Sequence, residues 1–159
     1  MKMRESDSIE RRFELKYCSA EKLYGFLRNH LGDLVNMFPD VYKTIEVVEG
    51  QTFCAGSVVH FQYHLGDEVV SEKWLIKVVD DATKCIIFEA VEGDMLNYYK
   101  MLRAKMEAFN GRSNKIGESF GKWTVEFEKA YENVPKPKTH MDLFVEMSKA
   151  IDAYYLSNN

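Results

Sequence analysis

Three cysteines in 159 residues, Cys18, Cys54 and Cys85, are too few and too widely spaced for a disulfide framework or a cysteine-based zinc site. They suit a chain kept in a reducing cytoplasm. Histidine adds little. His60 and His64 share a strand face but stand about 13 Å apart at the usual rise, so together they cannot chelate one metal and read as solvated strand residues. No run of 18 apolar residues occurs, so no membrane-spanning helix is expected, and the opening MKMRESDSIERRFELKY has no apolar core of a secretory leader. Lysine and arginine number 21 against 25 acidic residues, giving a net charge of −4 with no basic stripe, which disfavours nucleic acid as a partner. The GxSxG, HExxH, P-loop and GxGxxG motifs are all missing. Neither a metal nor a cofactor is expected.

Hydrophobic bulk is abundant instead. Apolar residues make up 46% of the chain and aromatics 13%, enough for the core of one domain over residues 1–159, with large rings to spare for lining a pocket. Ile9 to Tyr17 alternates as a half-buried strand. Ser19 then suits a helix N-cap, and Leu23, Phe26, Leu27 and His30 follow at helical spacing. A second short helical turn, Leu34 to Phe38, ends at Pro39.

From residue 42 the period changes to two and holds as far as Lys129. Strands are expected over 42–49, 57–65, 70–78, 85–91, 95–109 and 121–129, with turns at Gly50, Gly66-Asp67, Asp80-Asp81, Gly93-Asp94 and Asn110-Gly111. In the fourth strand Val70, Trp74, Ile76 and Val78 mark the inward face, with Glu72 in phase. Pro135 and Pro137 form a stiff connector, and Thr139 is placed as the cap of a long amphipathic helix carrying Phe144, Met147 and Ile151.

This order gives an α+β fold: a seven-stranded curved antiparallel sheet wrapped around a long C-terminal helix, with two short helices after the first strand. One helix is a poor filler for so broad an apolar trough, and a cavity is the expected consequence.

The pieces SAEKLY at 19–24, FPD at 38–40, YKTIEVVEG at 42–50, GSVVHFQY at 56–63, EGD at 92–94 and KWTVEFEK at 122–129 stand in an order that resembles the major latex protein branch of the birch-pollen-allergen (pathogenesis-related class 10) superfamily. The resemblance covers nearly the whole chain. It implies the helix-grip fold, a hydrophobic cavity, and an intracellular plant protein linked to defence or specialised metabolism that binds a small apolar metabolite. It implies as the alternative a cofactor-independent enzyme that cyclises or isomerises a terpenoid or alkaloid intermediate in the same cavity. The chain departs from the family in the loop 49–57, which keeps only Gly50 and Gly56 and adds Phe53 and Cys54, so a phosphate-cradling role is not expected there.

Inward phase and the helix stripe nominate Phe61, Tyr63, Trp74, Ile86, Phe88, Leu102, Trp123, Phe144, Met147 and Ile151 as ligand-binding residues. Charges in the inward phase are the informative exceptions, because a charge facing an apolar cavity is costly unless paired or wet. Arg11, Glu72 and Lys100 fall in this class. They either reach water at the rim or act inside, and Glu72, Lys100 and Tyr63 are the catalytic candidates, with Tyr98 as a further hydroxyl. Lys122 lies near the catalytic lysine of amine-condensing enzymes of the superfamily, yet its alternation with Trp123 and Val125 turns it outward, away from the burial that would lower its pKa. Ligand identity and oligomeric state leave no mark in the sequence.

Overall fold

Alternating apolar residues form seven antiparallel strands in the computed structural model, which describes residues 6–111 and 118–157. β1 (Asp7–Glu14) leads to α1 (Ala20–Asn29), a 3-10 turn (Leu31–Asp33) and α2 (Leu34–Met37). The meander β2 (Tyr42–Glu49), β3 (Val58–Leu65), β4 (Glu68–Asp80), β5 (Cys85–Gly93), β6 (Tyr99–Phe109) and β7 (Phe120–Lys129) follows, and α3 (Lys138–Ser157) closes the fold. The sheet order β1-β7-β6-β5-β4-β3-β2 places the first strand beside the last and leaves β1 and β2 as the two edges. The curved sheet grips α3 on its concave face, with α1 packed against β6 and α3, and α2 against β2.

Local chemistry accounts for the joints. Ser19 caps α1, its hydroxyl accepting from the Lys22 N–H at 3.2 Å. Gly66, at φ 63°, makes the tight β3–β4 hairpin. Phe13 sits opposite Gly121 in the β1–β7 register and lays its ring on the bare glycine backbone, where a Cβ would collide with it. On the convex face Arg103 bridges Glu89 (2.8 Å) and Glu126 (2.7 Å) across three strands.

Four expectations are corrected. Val78 is not inward. A register shift between Ile76 and Val78 inserts a residue into β4, so Val78 points to solvent and Val79 packs on the core instead. Residues 95–98 are not strand, because Asp94–Asn97 forms a 3-10 turn that buries Met95. β6 begins only at Tyr99, and its inward face is Leu102, Ala104, Met106 and Ala108. Thr139 is not the cap but the second residue of α3, and Met141 N–H already bonds to the Pro137 carbonyl. Lastly, β1 stops at Glu14, and Lys16 to Cys18 turn a corner instead of extending it. The turn expected at Asn110-Gly111 leads into residues 112–117, which lie outside the described residues.

α3 is not held by apolar contact alone. His140, Ser148 and Asp152 are each under a tenth exposed, and their spacing puts them on one side of the helix with Phe144 between. His140 bonds Glu72 of β4, Ser148 accepts from the Trp123 indole N–H of β7 at 2.8 Å, and Asp152 accepts the backbone N–H groups of Lys16, Tyr17 and Cys18 at 2.8–3.0 Å. Three successive polar pins tie the helix to β4, to β7 and to the corner between β1 and α1.

Candidate functional site

The concave face of the sheet and the inner face of α3 enclose a space lined by Phe61, Tyr63, Glu72, Trp74, Phe88 and Trp123, by Phe144 and Met147 of the helix, and by Leu27, Leu31, Tyr42, Ala104 and Leu143. Seven of the ten residues nominated as ligand-binding therefore meet here. Ile86, Leu102 and Ile151 do not border the space; all three are fully buried in the surrounding core. The free volume is about 50 Å³, room for a few waters and well below the ~300 Å³ at which small-molecule pockets begin. The broad trough is thus mostly filled, and the filler is aromatic. Phe144 stacks on Trp123 with ring centroids 4.7 Å apart and meets Trp74 edge-on at 6.0 Å.

Glu72 supplies the one formal charge among the lining residues. It lies opposite Phe61 in the β3–β4 register, two residues before Trp74 on the same face. Its Oε1 accepts from the Tyr63 hydroxyl at 2.8 Å and the Trp74 indole N–H at 3.1 Å, and its Oε2 stands 2.9 Å from His140 Nε2. Only 6% of Glu72 is exposed. Burial works against the charged carboxyl, but the hydrogen bond and charge of His140, with the Tyr63 and Trp74 donors, outweigh it and hold the pKa below the ordinary glutamate range. Tyr63 moves the other way, pushed up by burial and then by the neighbouring Glu72 charge, so its hydroxyl stays protonated and donating. Gly93 faces Glu72 from β5, and a Cβ there would press on the Glu72 Cγ and the Met95 sulfur. The glycine, at φ 139°, leaves room for the carboxylate.

The other nominated groups lie elsewhere. Lys100 is exposed beside the register shift that opens β6, so its inward phase is overturned, and Tyr98 is half exposed on the preceding turn. Arg11 reaches the rim, where it pairs with Asp142 of α3 at 2.8 Å with both side chains about half in water. Lys122 faces outward between Glu107 (3.7 Å) and Glu10 (3.9 Å). His60 sits on the convex side, 2.6 Å from the Ser71 hydroxyl. Among the described residues, no group of three His, Cys, Asp or Glu side chains is placed to hold a metal, and no helix is long and apolar enough to cross a membrane.

His140 is the member of the site that sequence reasoning missed. The signal was present: His140 lies four residues before Phe144, on the same stripe that continues to Met147 and Ile151. A stripe read only for its apolar members conceals a polar one.

A family model described as the pathogenesis-related protein Bet v 1 family matches residues 5–158. MLP-like protein 423 of Arabidopsis thaliana is 34% identical over 131 residues, spanning 79% of this chain and 82% of that protein. MLP-like protein 43 of the same plant is 30% identical over 151 residues, spanning 94% and 92%. Among solved structures, ginseng major latex-like protein 151 from Panax ginseng superposes with a TM-score of 0.85 at 19% identity, over 95% of this chain and 98% of that one. Norcoclaurine synthase from Thalictrum flavum, in complex with dopamine and hydroxybenzaldehyde, superposes with a TM-score of 0.75 at 14% identity, over 98% and 90%. At such identities the superpositions speak for the fold alone.

Proposed function

The chain belongs to the pathogenesis-related Bet v 1 family, in its major latex protein-like branch, and on that premise we propose that residues 1–159 form one cytoplasmic helix-grip domain that carries a small, largely apolar plant metabolite between sheet and helix, in defence or specialised metabolism. The observation that supports this most directly is the convergence of seven nominated side chains on one space whose sole charged group, Glu72, is held in place by Tyr63, Trp74 and His140. Ile86, Leu102 and Ile151 back this wall. Occupancy requires the Phe144 and Met147 side chains to swing out of a space that is now about 50 Å³.

Catalysis of a cyclisation or isomerisation in the same space is the weaker reading. A carboxylate whose pKa is held below the ordinary range is a poor proton acceptor at neutral pH, and Lys100 is on the wrong side of the sheet to assist it.

The test is saturable binding of the neutral fluorophore N-phenyl-1-naphthylamine, read by its blue shift, and its displacement by a panel of apolar plant metabolites. Binding weakened about tenfold by Ala104→Leu, which fills the floor of the space, is the expected result. A folded protein that gives no saturable signal and retains no panel compound on dialysis contradicts the proposal.

A further inference from the structure

A cavity of this kind distinguishes ligands by charge as well as by size. Its lining holds one carboxylate and no cation, and Glu72 sits against Phe61 and Trp74, with the stacked Trp123 and Phe144 rings beyond. An ionised carboxylate offers about four acceptor sites. Three are taken, two on Oε1 by Tyr63 and Trp74 and one on Oε2 by His140. One acceptor site on Oε2 therefore remains for a guest. Two of the three present partners are neutral, and the third, His140, brings a positive charge only when its ring holds a second proton. From the cavity side the lining offers this carboxylate no cation, an arrangement that a cationic guest suits and an anionic one worsens. The walls suit a cation as well, because the faces of tryptophan and phenylalanine carry negative quadrupole density that attracts ammonium groups when water is excluded.

We infer that the cavity selects a hydrophobic amine in its protonated form, with the ammonium against Glu72 and the apolar body among the tryptophan and phenylalanine rings. The inference rests on the proposal that this space is the binding site. It adds the chemical class of the guest: a basic nitrogen within a compact apolar skeleton, rather than an apolar acid or a neutral hydrocarbon.

The test compares two probes of one shape, N,N-dimethyl-2-phenylethylamine and its carbon counterpart 3-methylbutylbenzene, each displacing N-phenyl-1-naphthylamine from the intact protein at pH 8. There an aliphatic amine is still charged. The amine is expected to bind at least about tenfold more tightly than the hydrocarbon. Glu72→Gln should bring that ratio to within about twofold of one. His140→Asn, which keeps a donor beside Glu72 but can never be charged, should preserve it. A pure helix-pinning role for Glu72 would alter affinity for both probes together and leave the ratio alone. Equal binding of the two probes by the native protein, with the fluorophore still bound, overturns the charge preference and leaves the carrier reading standing. Failure of the fluorophore to bind overturns both.

Discussion

Glu72 accepts from three donors on three different elements, and its ionisation controls all three contacts. The unfolded carboxyl titrates near 4.5, and the folded one lies lower. A group with a depressed folded pKa contributes stability that is fully present above its unfolded pKa and is lost as pH falls through the folded one. Glu72→Gln keeps the shape but removes the charge and is expected to lower stability by about 1–3 kcal/mol at pH 7. The gap to the native protein should close as pH drops below 4.5, and urea denaturation midpoints at pH 7, 5, 4 and 3 measure it. A gap that persists unchanged to pH 3 contradicts the assignment. At this scale the sequence was legible in part. Glu72 and Tyr63 stood out because a strand period of two predicts which side chains point inward. Lys100 stood out for the same reason and was wrong, since an irregularity between Tyr99 and Met101 breaks the period just where it was applied.

Among the elements, α3 depends on its polar pins as much as on its apolar stripe. Asp152 closes the corner between β1 and α1 by taking three backbone N–H groups that no strand or helix satisfies. It also lies against the Cys18 thiol, whose pKa is pushed up to about 12 by burial and then by the Asp152 hydrogen bond and charge. Asp152→Ala leaves those donors without their partner in a partly buried corner. It is expected to cost about 3 kcal/mol or more in urea denaturation, with faster amide exchange at Tyr17 and Cys18. A loss under about 1 kcal/mol would place the anchor elsewhere. Element type and order were readable because β3, β5 and β7 alternate cleanly and α3 shows a helical period. The phase of β4 beyond Ile76 was not, because the extra residue falls within the run Ile-Lys-Val-Val, where no glycine or proline marks it. The pins on α3 were hidden for another reason: their partners lie 25 to 136 residues away in sequence, and no local spacing encodes them.

For the whole molecule, packing and capacity oppose each other. Topology alone suggested a wide hollow, since one helix faces seven strands. The structure fills most of it with Phe144, Met147 and the two tryptophans, because large rings from both sides interdigitate where a smaller helix face would leave a void. Phe144→Ala should therefore trade one property for the other. Thermal or urea denaturation is expected to show a loss of about 3–5 kcal/mol, while the enlarged space binds N-phenyl-1-naphthylamine more tightly than the native protein does. A loss of stability without a gain in affinity would mean that the helix settles into the gap. The open ends of the sheet carry a separate consequence. β2 is an edge strand with two register irregularities, between Tyr42 and Thr44 and between Val47 and Glu49, and Lys43, Glu46 and Glu49 are exposed along it. Uneven spacing and charge spoil the straight row of backbone donors and acceptors that an incoming chain would need as a template, so crowded copies of this protein are guarded against zipping together into fibrils along that border.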